Sequence, residues 1–132
     1  MVVARNTKYI NEVRHFMAHA GHATNAQILD HLRKKYQGLM PTTVHRITGR
    51  LVDRGELILA PVAINNVGRF DANILPHDHF HCLKCDRLRD VELPPRLLKD
   101  MQSIVGDCKI SGRLTIQGAC SECLKEDNYG RQ

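Results

Sequence analysis

The sequence has no tryptophan, and aromatic residues make up only 5% of its 132 residues. Any core must therefore be aliphatic, and a hydrophobic content of 42% is enough to form one, which excludes a disordered or fibrous chain. No apolar run approaches the roughly 20 residues that span a bilayer. The first residues turn polar and charged too early for a secretory signal. We therefore expect a soluble, cytoplasmic protein without a membrane partner.

Cysteine is absent from the first 81 residues, and acidic side chains are scarce in the first 70. Residues 1–70 carry ten basic and four acidic side chains, a net charge of +6, whereas residues 71–132 carry nine and ten, a net charge of −1. This asymmetry predicts two modules, residues 1–70 and 71–132, of which the first binds a polyanion such as nucleic acid. A basic surface that is exposed to solvent and binds no partner would give the first module the same net charge.

Hydrophobic periodicity in the first module predicts three helices followed by a β-hairpin. The predicted helices cover about residues 8–19, 24–36 and 41–53, and the strands cover residues 56–60 and 68–70. This order is typical of a winged helix-turn-helix, whose third helix enters the major groove of DNA. The alternative to a DNA-binding third helix is an amphipathic helix whose polar face is exposed to solvent and binds nothing. The polar face of the third helix consists of Thr42, Thr43, His45, Arg46, Thr48, Gly49 and Arg50.

Four of the five cysteines form two CxxC turns separated by 34 residues. Without an export signal, such pairs are more typical of metal binding than of disulfides. Two CxxC turns suit one tetrahedral Zn²⁺ ion, and four thiolates leave no open position, so the zinc is predicted to be structural. Redox-active CxxC pairs or a metal cluster are the alternatives. The predicted zinc ligands are Cys82, Cys85, Cys120 and Cys123, and Cys108 is expected to be a small buried side chain.

The second module is predicted to be a small α/β unit that is too small to fold without a metal or a partner. Strands are expected at residues 79–83, 88–91 and 109–116, with a helix that begins at Pro94 or Pro95. His77 and His79 lie two residues apart, so on a strand they share one face and can bind the same ion. With Asp71 and Asp90 nearby in the sequence, they favour Fe²⁺, Mn²⁺ or Zn²⁺ over a softer metal.

The winged-helix order, the run HDHFHCLKC at residues 77–85 and the run GACSEC at residues 118–123 resemble the ferric uptake regulator (Fur) family of metal-dependent repressors. The resemblance extends over most of the chain. It implies an α+β homodimer whose first domain binds double-stranded operator DNA and whose second domain dimerises. It also implies a regulator rather than an enzyme, with no small organic substrate.

The resemblance further implies a regulatory site for Fe²⁺ or Mn²⁺ at the junction of the two modules. The positions that match this site hold His22, Asp71, His77, His79 and Asp90. Iron-sensing relatives commonly carry Glu at the two carboxylate positions, whereas peroxide-sensing relatives carry Asp at both. The resemblance therefore favours the peroxide-responsive branch, with an iron- or manganese-responsive regulator as the alternative.

Two departures from the family pattern stand out. His45 replaces the usual Tyr of the recognition helix, and Asp86 replaces the Gly that usually follows the first CxxC. The rival hypotheses are a metalloenzyme that uses His77, His79 and a carboxylate, and a zinc-stabilised module that binds RNA. No zinc-protease motif, nucleophile elbow or phosphate loop supports the enzyme.

Overall fold

A computed structural model describes residues 2–111 and 113–130 of the chain. The chain forms two compact units, residues 1–75 and 76–132. None of the helices in the described part is both long and apolar enough to cross a membrane.

The first unit contains three helices and a three-stranded antiparallel sheet. Its elements are α1 (Val2–Ala20), β1 (His22–Ala23), α2 (Asn25–Arg33), α3 (Pro41–Asp53), β2 (Ile58–Ala60) and β3 (Arg69–Asp71). The predicted winged helix-turn-helix is confirmed, and β1 adds a strand that the periodicity did not predict. The central strand β3 pairs with β2 to form the wing and with β1 on its other side.

Local sequence signals explain where these helices begin. The Thr24 hydroxyl accepts a hydrogen bond from the Gln27 backbone N–H at 3.2 Å, and the Gln27 side chain accepts one from the Thr24 N–H at 2.9 Å. This reciprocal capping box satisfies two backbone donors at the start of α2. Pro41 occupies the first turn of α3, where its missing N–H costs nothing.

The core of the first unit is aliphatic, as the composition predicts. The three helices bury a continuous cluster in which Val13, Met17, Ile28, Val44, Ile47 and Leu51 are at most 1% exposed. Arg69 is also buried and ties the wing together, because its guanidinium donates to the carbonyl oxygens of Pro61 (3.0 Å) and Val62 (3.1 Å).

The second unit is a three-stranded sheet with two helices. Its elements are β4 (Asp78–Cys82), β5 (Leu88–Val91), α4 (Pro95–Val105), β6 (Thr115–Gly118) and α5 (Ser121–Gly130). The strand order is β5-β4-β6, with β4 antiparallel to β5 and parallel to β6. The predicted α+β class is confirmed for the whole chain.

The strand predicted at residues 109–116 is wrong over most of its length, because β6 begins only at Thr115. The preceding loop is held by Gln102 of α4, whose side chain accepts from the Ile110 N–H and donates to the Cys108 carbonyl. The hydrogen bond to the Ile110 N–H occupies a backbone donor that a sheet ladder would need at this position.

The second unit has a very small core. Among its described residues, Leu88 is the only aliphatic side chain that is buried, at 7% exposed, and α4 contains no buried residue at all. Hydrophobic burial of this extent does not stabilise a module of this size. A metal site and a protein partner are therefore expected to supply the missing stability.

Candidate metal centres and DNA-binding helix

The four CxxC cysteines converge within the second unit. Cys82 ends β4 and Cys85 lies in the turn that follows, whereas Cys120 precedes α5 and Cys123 lies in its first turn. The Sγ atoms of Cys82 and Cys123 are 3.8 Å apart, as are those of Cys85 and Cys120. Sulfur atoms at these distances are not joined in disulfides, whose S–S bond is about 2.05 Å.

The separation of the sulfur atoms matches a tetrahedral zinc site. Four thiolates with Zn–S bonds of about 2.3 Å lie about 3.8 Å from one another. The Cys82 sulfur accepts hydrogen bonds from the backbone N–H groups of Cys85 (3.5 Å) and Cys120 (3.3 Å), which lower the pKa of this thiol to about 6. The Cys123 thiol, beside Cys120, has its pKa raised to about 12. The cluster thus fits a structural zinc ion, whose binding must displace the remaining thiol protons.

Cys108 takes no part in this cluster. We expected a small buried side chain, and this prediction is wrong because the thiol is exposed. It lies two residues after the left-handed Gly106 that ends α4.

His81 and Asp86 form a pair beside the zinc ligands. His81 is 3% exposed, and its Nε2 lies 2.7 Å from the Asp86 carboxylate. Asp86 adopts φ 68°, in the left-handed region that favours glycine. The chain thus tolerates a strained aspartate at this position because its carboxylate is a partner for a buried imidazole. His81 is not among the residues whose ligand atoms group with those of His77, His79 and Asp90.

Replacing Asp86 with Gly should destabilise the protein although it relieves the strained backbone. Removing the left-handed strain contributes at most about 1–2 kcal/mol, and less for Asp, which tolerates this region, whereas the lost hydrogen bond to a carboxylate costs about 1.5–3 kcal/mol. We expect the thermal midpoint of the zinc-loaded protein, followed by circular dichroism, to fall by several degrees. Asp86→Asn keeps an oxygen acceptor and should stay closer to wild type. A Gly variant at least as stable as wild type would show that the pair contributes nothing.

Three of the predicted regulatory ligands come together in the second unit. The Nε2 atoms of His77 and His79 both lie 3.4 Å from Oδ1 of Asp90, and the two ring centres are 4.4 Å apart. The register of β4 and β5 causes this, because His79 is directly opposite Asp90. A separation of 3.4 Å exceeds an ordinary N–H···O distance, but ligand atoms bound at about 2.1 Å to one ion lie about 3.0–3.4 Å apart.

The other two predicted ligands come together in the first unit. His22 on β1 is directly opposite Asp71 on β3, and its Nε2 is 3.3 Å from Oδ2 of Asp71. Gly21, at φ 77°, provides the left-handed turn by which the chain passes from α1 into β1. The Asp71 side chain is 1% exposed, and its other oxygen accepts the Asn73 N–H at 2.8 Å. Each unit therefore presents imidazole and carboxylate groups with the spacing of metal ligands.

The polar face of α3 is accessible, as expected for a recognition helix. Thr42, His45 and Arg46 are exposed, and Thr43 and Arg50 are partly exposed. Thr48 was predicted on the same face, but it is buried and its hydroxyl donates to Oδ1 of Asn25 at 2.8 Å. Thr48 thus joins α3 to the start of α2 and is unavailable to a ligand.

The sequence matches the Ferric uptake regulator family over residues 4–111, which is most of the chain. The chain is a member of the ferric uptake regulator family. No curated protein matches the sequence significantly. Family membership makes the chain a metal-dependent, DNA-binding regulator.

Solved structures of Fur proteins share this fold. The ferric uptake regulator of Helicobacter pylori, which has three functional metal-binding sites, superposes with a TM-score of 0.72 at 21% identity, over 94% of this chain and 87% of that chain. The Campylobacter jejuni peroxide stress regulator superposes with a TM-score of 0.68 at 17% identity, over 92% of this chain and 93% of that chain. A zinc uptake regulator complexed with zinc and DNA superposes with a TM-score of 0.61 at 18% identity, over 96% of this chain and 91% of that chain. The fold is therefore common to Fur regulators that respond to different signals.

Proposed function

We propose that this Fur protein is a homodimeric transcriptional repressor that binds operator DNA when a regulatory divalent ion is bound. The observation that carries the proposal is the occurrence, in one chain, of an exposed basic recognition helix and of separate clusters of metal-ligating side chains. The alternative of a metalloenzyme finds no support in the site chemistry, because the five regulatory ligands leave little room for a substrate.

We further propose that one regulatory ion takes ligands from both units: His22 and Asp71 from the first, and His77, His79 and Asp90 from the second. The ligand spacing within each unit, 3.3 to 3.4 Å between imidazole nitrogen and carboxylate oxygen, supports this assignment. An ion shared by two units restricts the angle between them. Metal binding would thereby select the arrangement that fits the operator.

The donor atoms favour Fe²⁺ or Mn²⁺ in this site. Three imidazoles and two carboxylates form a nitrogen- and oxygen-rich set without thiolates. Ferrous iron held there would supply the chemistry by which peroxide oxidises a ligating histidine. Both carboxylate ligands are Asp rather than Glu, which supports peroxide sensing over an iron- or manganese-responsive regulator without it.

The second unit is the proposed dimerisation surface. It exposes apolar side chains that a soluble monomer would leave in water: Leu97, Ile104, Val105, Ile116 and Leu124 are between 40% and 83% exposed. A second copy of the chain would cover them and enlarge the small core. A dimer also presents two recognition helices, which suits operator half-sites about 34–36 Å apart.

Arg46→Ala should weaken operator binding about 5- to 150-fold, the equivalent of about 1–3 kcal/mol for a lost base contact. Operator sites can be selected from a random duplex library in Mn²⁺, and affinities can be measured by fluorescence anisotropy. If Arg46 contacts a phosphate instead, the loss should be smaller and the salt dependence shallower.

Arg96→Ala is the matched control, because it removes one exposed positive charge from α4 in the second unit. It should leave affinity and salt dependence close to wild type. An Arg46 variant that also retains both, with normal metal content, would remove α3 from the DNA interface. DNA binding that is independent of divalent ions and of base sequence would instead favour a general nucleic-acid-binding module.

A further inference from the structure

His15 and His19 form an exposed histidine pair on α1 that neither the zinc site nor the regulatory site uses. They are four residues apart, so their side chains project from one face of the helix on successive turns. Both are exposed, and their ring centres lie 4.6 Å apart with the ring planes inclined at 53°.

This ring separation fits two imidazoles bound to one ion. With metal–nitrogen bonds of about 2.0–2.1 Å, two imidazoles at a right angle around an ion have ring centres about 4.5 Å apart. Within the same molecule, His77 and His79 have ring centres 4.4 Å apart. The pair on α1 thus repeats the spacing of the histidines in the proposed regulatory site, on a different element.

The tautomer of His19 is also suited to a metal. Its Nδ1 lies 3.0 Å from the His15 carbonyl oxygen, and because a carbonyl can only accept, Nδ1 carries the proton. The Nε2 atom of the neutral ring then keeps its lone pair. Metal-binding histidines commonly donate their other ring N–H to a carbonyl in this way, which fixes the ring orientation.

We propose that His15 and His19 form an additional site for a late first-row divalent ion, of which Ni²⁺, Cu²⁺ and Zn²⁺ are the candidates. Two imidazoles without a carboxylate favour these ions over Fe²⁺ and Mn²⁺. Glu12, the acidic residue one turn earlier, is paired with Lys35 at 3.0 Å. Water therefore completes the coordination, and the ion joins two turns of α1. This site is independent of the proposed repressor function.

Equilibrium dialysis of the full-length, zinc-loaded protein against Ni²⁺, with bound nickel counted by mass spectrometry, tests the proposal. The wild type should bind one nickel ion at α1 in addition to any in the regulatory site. His15→Ala/His19→Ala should bind one ion fewer, whereas His77→Ala/His79→Ala should keep the α1 ion. In the latter background, Ni²⁺ should raise the thermal midpoint of the first unit, and adding His15→Ala/His19→Ala should abolish this rise.

Two controls separate a defined site from general histidine binding. His31→Ala removes a histidine whose ring packs against Phe16, and it should not change the nickel count. His19→Ala combined with Ala20→His keeps two histidines on α1 but places them on different faces, so it should lose the ion. If His15→Ala/His19→Ala or His19→Ala/Ala20→His binds as much nickel as the protein without these substitutions, the site on α1 does not exist. This conclusion does not depend on whether the regulatory site also binds nickel.

Discussion

Replacing Cys82 with Ser is expected to leave the purified protein without zinc and with its second unit unfolded. Structural zinc binding contributes on the order of 10–16 kcal/mol in small zinc-dependent domains, and that free energy is part of folding. The second unit cannot replace it, because its described part buries only one aliphatic side chain, Leu88. Metal analysis should show the loss of zinc, circular dichroism the loss of the sheet, and size-exclusion chromatography the loss of the dimer.

Cys108→Ser is the matched control for this experiment. It removes an exposed thiol that lies outside the four-cysteine cluster, so zinc content, fold and dimer should remain. A Cys82→Ser protein that stays folded and dimeric without zinc would refute the structural role of the ion.

Brief peroxide exposure is expected to abolish DNA binding by the Fe²⁺-loaded protein and to leave the Mn²⁺-loaded protein bound. Manganese does not readily perform the same peroxide chemistry, so only the iron form should gain a single oxygen atom on His22 or His77. Anisotropy with labelled operator DNA measures the release, and peptide mass spectrometry locates the oxygen. Anaerobic preparation keeps the iron form reduced before the addition.

Asp90→Glu is the control that tests the choice between peroxide and iron sensing. It keeps a carboxylate ligand, so iron-dependent DNA binding should remain, but oxidation of the histidine should be slower. Oxidation of the zinc cysteines would release DNA equally from the iron and manganese forms. That outcome, without an oxidised histidine, would favour an iron- or manganese-responsive regulator.

The sequence predicts the parts of this fold that follow from local periodicity and spacing. The helical spacing of Val44, Ile47 and Leu51 marks α3, and these residues are indeed buried against the other helices. The two CxxC turns predict a cluster of four thiols because each turn by itself brings two sulfur atoms together. Both signals lie within short segments, so no knowledge of the tertiary fold is needed.

Features that depend on contacts distant in sequence could not be predicted in the same way. β6 is defined by its parallel pairing with β4, in which Thr115 is opposite His79, and nothing in residues 109–118 alone specifies that register. Thr48 is buried at the contact with Asn25, 23 residues earlier in the chain, whose Oδ1 accepts from its hydroxyl. The His81–Asp86 pair had one signal in the sequence, an aspartate where the family pattern has glycine. The pattern did not indicate which side chain it would contact.

Counting Mn²⁺ in the zinc-loaded protein, together with its operator affinity, tests most directly the claim that one ion links the two units. Wild type should bind one Mn²⁺ per chain, and operator affinity should rise as that ion binds. Asp71→Asn in the first unit and His77→Ala in the second should each lose the same ion and the metal-dependent affinity with it. An Asp71→Asn protein that keeps its Mn²⁺ and its metal-dependent DNA binding would contradict the shared site.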